Sequence, residues 1–264
     1  MNQVLRVGSK GQDVKKWQFF LIGQGLLQGN ADGVFGDQTF TATVTFQQKN
    51  KLDADGVVGH QTLVAAIQSG FVILDDTDDS SENGPNWPPR PDFQPITSNA
   101  ERQKLFSKFS YQHDPQPDNY ENIRILGNWE ADNIVTVTIP QLAGISGAPK
   151  SGNIQVHRLV ANQFTMLWQA WQNTDLLSRV RTYDGSYVPR FVRGSTSTLS
   201  NHAFGSAFDI NVKWNNIGTL PALKEENGSV RELVQLANQH GFYWGGHYAK
   251  RPDGMHFEVA VIQS

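Results

Sequence analysis

Residues 200–209 decide the fold of the C-terminal half, and they read Ser200-Asn201-His202-Ala203-Phe204-Gly205-Ser206-Ala207-Phe208-Asp209. Residues 207–212 have the apolar composition of a buried strand, and a second such strand follows far downstream at residues 255–261. Because side chains alternate across a strand, two such strands can bring Asp209 and His256 onto one polar face. His202 lies on the loop just before the first strand. We therefore expect a sheet that carries a cluster of ionisable side chains.

The segment that leads into the second strand reads Asp253-Gly254-Met255-His256. The two stretches together supply two imidazoles, a carboxylate that can bind a metal and a second carboxylate. A catalytic zinc site needs three protein ligands, one open position for water and a base. The chain has no cysteine, so any metal must be held by His, Asp or Glu. The ligands would come from separate elements, so their spacing alone does not identify the site.

Size and charge exclude several classes of protein. The chain has 264 residues, enough for one large domain or two unequal ones. Its net charge of -3 and pI near 6.1 argue against a nucleic-acid partner, because such proteins usually carry a basic face. Mean hydropathy is -0.44, and no apolar window reaches the ~18 residues of a membrane span. The N-terminus shows no charged segment followed by an apolar one, so no signal peptide is visible.

The first seventy residues contain a short internal repeat. Residues 31–39 read ADGVFGDQT, and residues 54–62 read ADGVVGHQT. In each copy an Asp-Gly turn leads to a second glycine, and a polar residue and threonine then open a helix. A third helical pattern precedes the first copy, with Val14, Trp17 and Leu21 on one face. The pattern predicts a bundle of about three helices, in which the repeat is mainly a signal for helix starts.

Residues 1–70 resemble the peptidoglycan-binding domain found in many cell-wall hydrolases. The resemblance is carried by Leu5-Arg6-Val7-Gly8-Ser9-Lys10-Gly11-Gln12-Asp13-Val14 with Trp17-Gln18, and by the D-G-x-x-G-x-x-T turns. It implies a shallow groove for glycan or stem peptide, without assigning individual binding residues. We expect this domain at 1–72, followed by an acidic and proline-rich linker at 73–99 that lets the two domains move independently.

Residues 100–264 have the mixed pattern of an α+β domain. A strand is predicted at residues 133–139, and apolar residues at helical spacing over 154–172 predict a helix whose stripe belongs to the core. Residues 180–192 read as strand, turn and strand around Asp184-Gly185, and residues 230–240 as a helix closed by Gly241.

The C-terminal domain resembles the M15 family of zinc D,D-carboxypeptidases and L-alanyl-D-glutamate endopeptidases in three consecutive motifs. They are S-x-H-x-x-G-x-A-x-D, then W-G-G, then D-x-x-H-F-E. The motifs are carried by Ser200, His202, Gly205, Ala207 and Asp209, by Trp244-Gly245-Gly246, and by residues 253–258. The resemblance implies a hedgehog/D,D-peptidase-like domain with a central antiparallel sheet. It also implies zinc held by His202, Asp209 and His256, with Asp253 as the general base that would move the proton of the attacking water.

Other contacts follow from the same resemblance. The segment Tyr187–Ser195 is similar to the one that supplies an arginine to the oxyanion, and strand alternation lets only one of Arg190 and Arg193 face the site. We favour Arg193. Substrate contacts are expected from Arg190, Ser200, Trp244 and His247. For Trp244 packing beside the pocket is the simpler role, and for His247 an ordinary solvated histidine is the alternative.

Some ionisable residues have simpler interpretations. Glu258 fits equally a structural role and a hydrogen bond to a ligand imidazole. No motif supports a functional role for His60, His113, His157 or His240, which we expect to be structural.

We therefore expect a monomeric zinc peptidase that cuts the stem peptide of peptidoglycan at the bacterial cell wall. The Arg-Gly-Ser and Ser-Asn-His arrangement favours an L-alanyl-D-glutamate endopeptidase, and a D-alanyl-D-alanine carboxypeptidase is the alternative. Two further hypotheses are a wall-binding protein without activity and a zinc amidase. The absence of a visible signal peptide fits a phage endolysin held in the host cytoplasm before release, and also a bacterial enzyme whose targeting segment was cleaved or never cloned.

Overall fold

The computed structural model describes residues 4–71, 86–117, 119–248 and 251–263. Over these residues the chain forms seven α-helices and three small antiparallel sheets, so the α+β prediction is confirmed. It divides into two compact units. The first comprises the described part of residues 1–87 together with Lys213–Ser229 and the described part of 245–255. The second comprises the described parts of residues 88–212, 230–244 and 256–264.

Three helices build the N-terminal part of the first unit, as predicted: α1 (Gln12–Gly23), α2 (Asp37–Lys49) and α3 (His60–Gln68). Their apolar faces bury Trp17 against Phe20 and Phe46, with ring centroids 5.3 and 5.6 Å apart. The Trp17 indole donates a hydrogen bond of 2.9 Å to Thr43, which satisfies its one polar atom inside the core.

The internal repeat is a repeated hydrogen-bond unit that also includes a glutamine from the preceding helix. Gln18 Nε2 donates to Asp32 and Gln47 Nε2 to Asp55, at 2.8 and 2.9 Å. The same two amides accept from the backbone N–H of the following glycines, each at 2.8 Å. These bonds close both Asp-Gly turns onto the helices, so the repeated residues perform a structural role.

The second unit contains the remaining elements. Its helices are α4 (Asn99–Phe106), α5 (Trp129–Asn133), α6 (Ala161–Asn173) and α7 (Arg231–Gln239). Its strands are β1 (Ser110–His113), β2 (Ile123–Leu126), β3 (Ile134–Thr138), β4 (Asn153–His157), β5 (Tyr183–Gly185), β6 (Ala207–Ile210), β7 (Phe242–Trp244) and β8 (His256–Val259). β1 pairs with β2 and β3 with β4, and the four-stranded sheet has the order β5-β6-β8-β7.

One face of the four-stranded sheet is apolar and packs on α6. Phe208 of β6 and Phe257 of β8 stack with centroids 5.3 Å apart, and Trp168 of α6 lies 5.8 Å from Phe208. The predicted core stripe of α6 is buried accordingly. Because side chains alternate, the residues on either side of these two phenylalanines point to the opposite face.

Two predictions of local structure were wrong at their boundaries. The helix expected over 154–172 begins only at Ala161, because Ile154 and Val156 alternate as the inward residues of β4 and pair with β3. The strand, turn and strand expected over 180–192 reduces to β5, and Asp184-Gly185 lies inside that strand.

Other boundaries changed less. β6 ends at Ile210 because Asn211 adopts φ +57, where its amide accepts from the N–H of Arg181 and of Thr182. Gly241 takes φ +73 one residue beyond the His240 cap of α7, as expected of a helix-closing glycine.

The predicted linker falls partly outside the described residues, since 73–85 are not among them. Residues 88–98 belong to the second unit and contact its sheet. Arg90 donates to the Tyr243 hydroxyl at 3.4 Å, and the N–H of Ile96 donates to Glu258 at 3.2 Å. This stretch is therefore held against β7 and β8 of the sheet, while the domain boundaries 1–72, 73–99 and 100–264 stay a prediction.

Candidate metal centre

Two neighbouring strands and one turn bring the central side chains together. In the antiparallel pair of β6 and β8, Asp209 stands directly opposite His256. His202 comes from a single 3-10 turn, Asn201–Phe204, and two residues separate this turn from β6. Gly205 closes this turn with φ +64, and a Cβ there would lie 2.7 Å from the backbone nitrogen of His157. A side chain at this position would therefore push the turn that carries His202 away from the sheet.

The three side chains converge on one point. His202 Nε2 lies 3.1 Å from Asp209 Oδ1 and 3.1 Å from His256 Nδ1, and His256 Nδ1 lies 2.9 Å from the same carboxylate oxygen. The residues are only 2, 8 and 6% exposed. Among the described residues this is the one group of His, Cys, Asp or Glu whose geometry could hold a metal.

Each imidazole is oriented by a partner on its other nitrogen. His202 Nδ1 lies 2.6 Å from the backbone carbonyl of Ser186, and His256 Nε2 lies 3.2 Å from Glu258 Oε2. When these outer nitrogens carry the protons and donate, the lone pairs of His202 Nε2 and His256 Nδ1 point at each other and at Asp209. Such outer partners are the usual way in which a protein fixes the tautomer of a metal-binding histidine.

A buried polar network stands behind Glu258. Its second contact is the side-chain amide of Asn201, and Asn201 Oδ1 accepts a 2.5 Å hydrogen bond from Arg102 Nε. Arg102 also donates to the backbone carbonyl of Thr97 at 3.0 Å. Sequence reasoning missed Asn201, Arg102 and the N–H of Ile96. Asn201 sits inside the quoted motif, whereas no feature of the sequence singles out the other two.

The pKa directions favour the protonation states that bind a metal. Burial lowers the pKa of His202 below its ordinary value, and the charge of Arg190 adds to this. Burial alone would raise the pKa of Asp209, but the imidazole of His202 and then that of His256 hold it well below the usual range. A neutral imidazole and an ionised carboxylate are the forms that donate electron pairs to a cation.

The donor set fits zinc. Two ligands each ~2.0–2.1 Å from a tetrahedral zinc lie roughly 3.4 Å apart, close to the separations among these three atoms. Two imidazoles and one carboxylate are also among the usual three-ligand sets of catalytic zinc sites. Three lone-pair donors packed this closely repel one another unless a cation or protons lie between them.

The other predicted site residues fall into two groups. In the second unit, Ser200 and Trp244 are buried, and the Ser200 hydroxyl accepts from the N–H of His202 at 3.3 Å. Arg190 contributes positive charge at His202, and its backbone carbonyl accepts from the N–H of Ser200. Arg193 is half-exposed and pairs with Glu121 at 2.7 Å.

Asp253 and His247 belong to the first unit. The N–H of Asp253 donates to the carbonyl of Gly245 at 2.9 Å. His247 is buried rather than solvated, and its ring stacks on Trp87 with centroids 6.2 Å apart.

Two protein families match separate parts of the chain. Residues 193–259, which contain the three converging residues and Asp253, match the M15 peptidase family described as D-alanyl-D-alanine carboxypeptidase. Residues 10–65 match the peptidoglycan binding domain family. The two matches together support a cell-wall hydrolase that binds peptidoglycan.

Two solved structures are also similar in part. The SleB N-terminal domain is 38% identical over 26% of this chain and 94% of its own, with a TM-score of 0.26. An endolysin of the Burkholderia AP3 phage is 31% identical over 28% of this chain and 27% of its own, with a TM-score of 0.24. No curated protein matches the chain. Within the described residues, none of the helices has the length and apolarity to cross a bilayer.

Proposed function

We propose that the chain is a zinc-dependent peptidase that hydrolyses the stem peptide of peptidoglycan. The observation that carries the proposal is the convergence of His202 Nε2, Asp209 Oδ1 and His256 Nδ1 within 3.1 Å of one another. The histidine–carboxylate contact of His256 and Glu258 supports it, because a structural histidine pair needs no such orientation. The peptidoglycan-binding family match supports the same polymer as substrate.

The proposed chemistry assigns separate tasks to the side chains. His202, Asp209 and His256 would hold a zinc ion, which would supply Lewis acidity and lower the pKa of the attacking water toward ~7. Asp253 takes the proton of that water and delivers it to the leaving amine. Only two residues separate Asp253 from the ligand His256 in the chain, which supports this role. The Ser186 carbonyl and Glu258 keep the two ligand imidazoles in place, and the Ser200 hydroxyl holds the backbone of His202.

An arginine completes the site by stabilising the oxyanion. The sequence favours Arg193, but its ion pair with Glu121 engages that guanidinium elsewhere. Arg190 is the better candidate, because its charge already acts on His202. Hydrogen-bond donors aimed at a developing oxyanion contribute about 10²- to 10³-fold in rate. We therefore propose Arg190 for this role, with Trp244 and His247 as further substrate contacts.

For the bond that is cut, we propose the one between L-alanine and D-glutamate, which makes the protein a lytic endopeptidase of the endolysin type. The description of the matched family favours a second candidate, a D-alanyl-D-alanine carboxypeptidase. The two activities differ in where the carboxylate of the substrate lies relative to the bond that is cut. Both use the same metal and the same base.

Digestion of defined peptidoglycan, with and without chelator, tests the proposal through the masses of the products. We expect new L-Ala C-termini and D-Glu N-termini, which disappear with chelator and return with added zinc. Loss of a single terminal D-Ala would identify the carboxypeptidase, and release of intact stem peptides an amidase. Unchanged muropeptides from a zinc-loaded protein, with Asp253→Asn giving the same result, would leave wall binding as the function.

A further inference from the structure

The segment that carries Asp253 is held by its own unit through backbone hydrogen bonds. Three of them anchor residues 252–255: Gly218 N–H to the Pro252 carbonyl at 2.7 Å, Asp253 N–H to the Gly245 carbonyl at 2.9 Å, and Met255 N–H to the Asn215 carbonyl at 3.0 Å. Two of these partners lie on one loop, residues 213–229. The position of the proposed base therefore depends on where this loop lies.

The loop is stiff because the side chain of Asn215 forms hydrogen bonds with other residues of the same loop. Asn215 is fully buried, and its side chain donates to the carbonyl of Gly228 at 2.8 Å and accepts from the N–H of Ala222 at 3.2 Å. Gly254 packs against the same loop so closely that a Cβ there would lie 2.6 Å from Pro221 Cγ. A displacement of the loop would therefore reach residues 252–255 rather than be absorbed inside it.

The loop in turn rests on helix α1 of the peptidoglycan-binding domain through two glycines in backbone contact. A Cβ on Gly218 would lie 2.6 Å from the nitrogen and 2.7 Å from the Cα of Gly23, and would collide with the carbonyl oxygen of Phe19. A Cβ on Gly23 would collide with the carbonyl oxygen of Ile217. Neither residue can carry a side chain without moving the loop away from the helix.

Helix formation does not account for Gly23. It is the last residue of α1, and glycine has a lower intrinsic helix propensity than alanine. Its φ is not among the positive values of the chain, so no backbone conformation requires glycine there. The close approach of Ile217 is the feature that does require it.

We propose that Gly23 and Gly218 are positioning residues for Asp253. Helix α1 therefore supports catalysis in addition to forming part of the wall-binding domain. The path runs from α1 through the Gly23–Gly218 contact to Pro252, the residue before the base. The inference rests on the proposed function, in which Asp253 moves the proton.

The test uses the full chain and a soluble stem peptide, on which attachment to the wall has no influence. Gly23→Ala removes the close contact, and Gly36→Ala is its matched control in the same domain, since a Cβ at Gly36 meets nothing within 4 Å. Gly218→Asn is a second variant, because asparagine tolerates the φ of +76 while its Cβ still meets α1. Gly25→Asn, at φ +69 with open space, is its control.

We expect kcat to fall about ten- to a hundredfold in Gly23→Ala and Gly218→Asn, because a shift near 1 Å in a catalytic group can cost 10²-fold. KM should change less than about twofold and zinc content should stay that of the wild type, since neither the ligands nor the substrate contacts move. Circular dichroism and the unfolding midpoint show that each variant is folded, and both controls should match the wild type.

Turnover of both variants at the rate of their controls would overturn the inference, and so would a rise in KM at unchanged kcat. A failure of the proposed function itself would give different results. In that case the wild type would leave the stem peptide intact, or Asp253→Asn would turn it over at the wild-type rate, whatever the glycine variants do.

Discussion

Glu258 lies 3.2 Å from the outer ring nitrogen of His256, two residues earlier on the same face of β8. This contact leaves Nδ1 of the imidazole directed at Asp209, 2.9 Å away. Asn201 and the N–H of Ile96 hold the carboxylate from its other sides. The orientation of one proposed metal ligand thus depends on a carboxylate outside the proposed ligand set.

Glu258→Gln should weaken zinc binding about 10- to 100-fold, the usual effect of losing an outer-shell carboxylate. An amide accepts at one end only, so its NH2 group must face either the N–H of Ile96 or the His256 and Asn201 donors, and the imidazole loses its fixed orientation. Competition with a chromogenic chelator measures the affinity, and saturating zinc should restore most of the activity. Glu232→Gln is the control, since Glu232 lies on α7 and pairs with Arg179 instead of a ligand histidine. Equal zinc affinities in the two variants would contradict the role of Glu258.

Zinc should stabilise the protein through the three converging ligands. A ligand that binds only the folded state adds about 4 kcal/mol at a thousandfold excess over its Kd. Thermal unfolding of chelator-treated protein, with and without added zinc, should show this as a higher Tm. His202→Ala removes one ligand and should abolish the shift. An equal zinc-induced shift in His202→Ala would mean that the ion binds elsewhere.

The convergence of these ligands could be predicted because it depends on local rules. Alternation along β6 and β8 places Asp209 and His256 on one face, and the motif spacing adds His202. The network behind them could not be predicted, since Arg102 reaches Asn201 across 99 residues and Ile96 reaches Glu258 across 162. Such contacts depend on how the α4 region packs on the sheet, and no short-range pattern encodes that.

The start of α6 shows a second limit of sequence patterns. Val156, Val160 and Phe164 continue a helical spacing, yet Val156 belongs to a strand because it pairs opposite Val135. A short apolar run is compatible with both periods, and tertiary pairing decides between them.

Asp253→Asn should lower kcat about 10²- to 10⁴-fold while zinc binding stays at one ion per chain. The amide keeps the size of the side chain but cannot accept the proton of the attacking water. Steady-state kinetics on a soluble stem peptide, together with metal analysis, separates loss of the base from loss of the metal. A variant with wild-type kcat would show that another group moves the proton.

The two arginines should differ in their effects. Arg190→Gln should lower kcat/KM about 10²- to 10³-fold, because a charge that stabilises the oxyanion is lost. Arg193→Gln removes a half-exposed ion pair with Glu121, worth about 0–1 kcal/mol, and should change turnover little. Kinetics of both variants on the same peptide decides the assignment. The reverse order of effects would return the role to Arg193.

Buried His157 should make the folded state sensitive to acid. Burial lowers its pKa from 6.5 to about 4, and its ring lies between Phe106 and Trp129. Between these two pH values the unfolded chain binds a proton that the folded chain does not, so the free energy of unfolding falls as pH drops from 6.5 toward 4. Urea unfolding in chelator at pH 7 and pH 4.5 measures this loss. It should be smaller in His157→Gln, whereas the exposed control His60→Gln should lose as much stability as the wild type; equal losses in all three proteins would contradict the prediction.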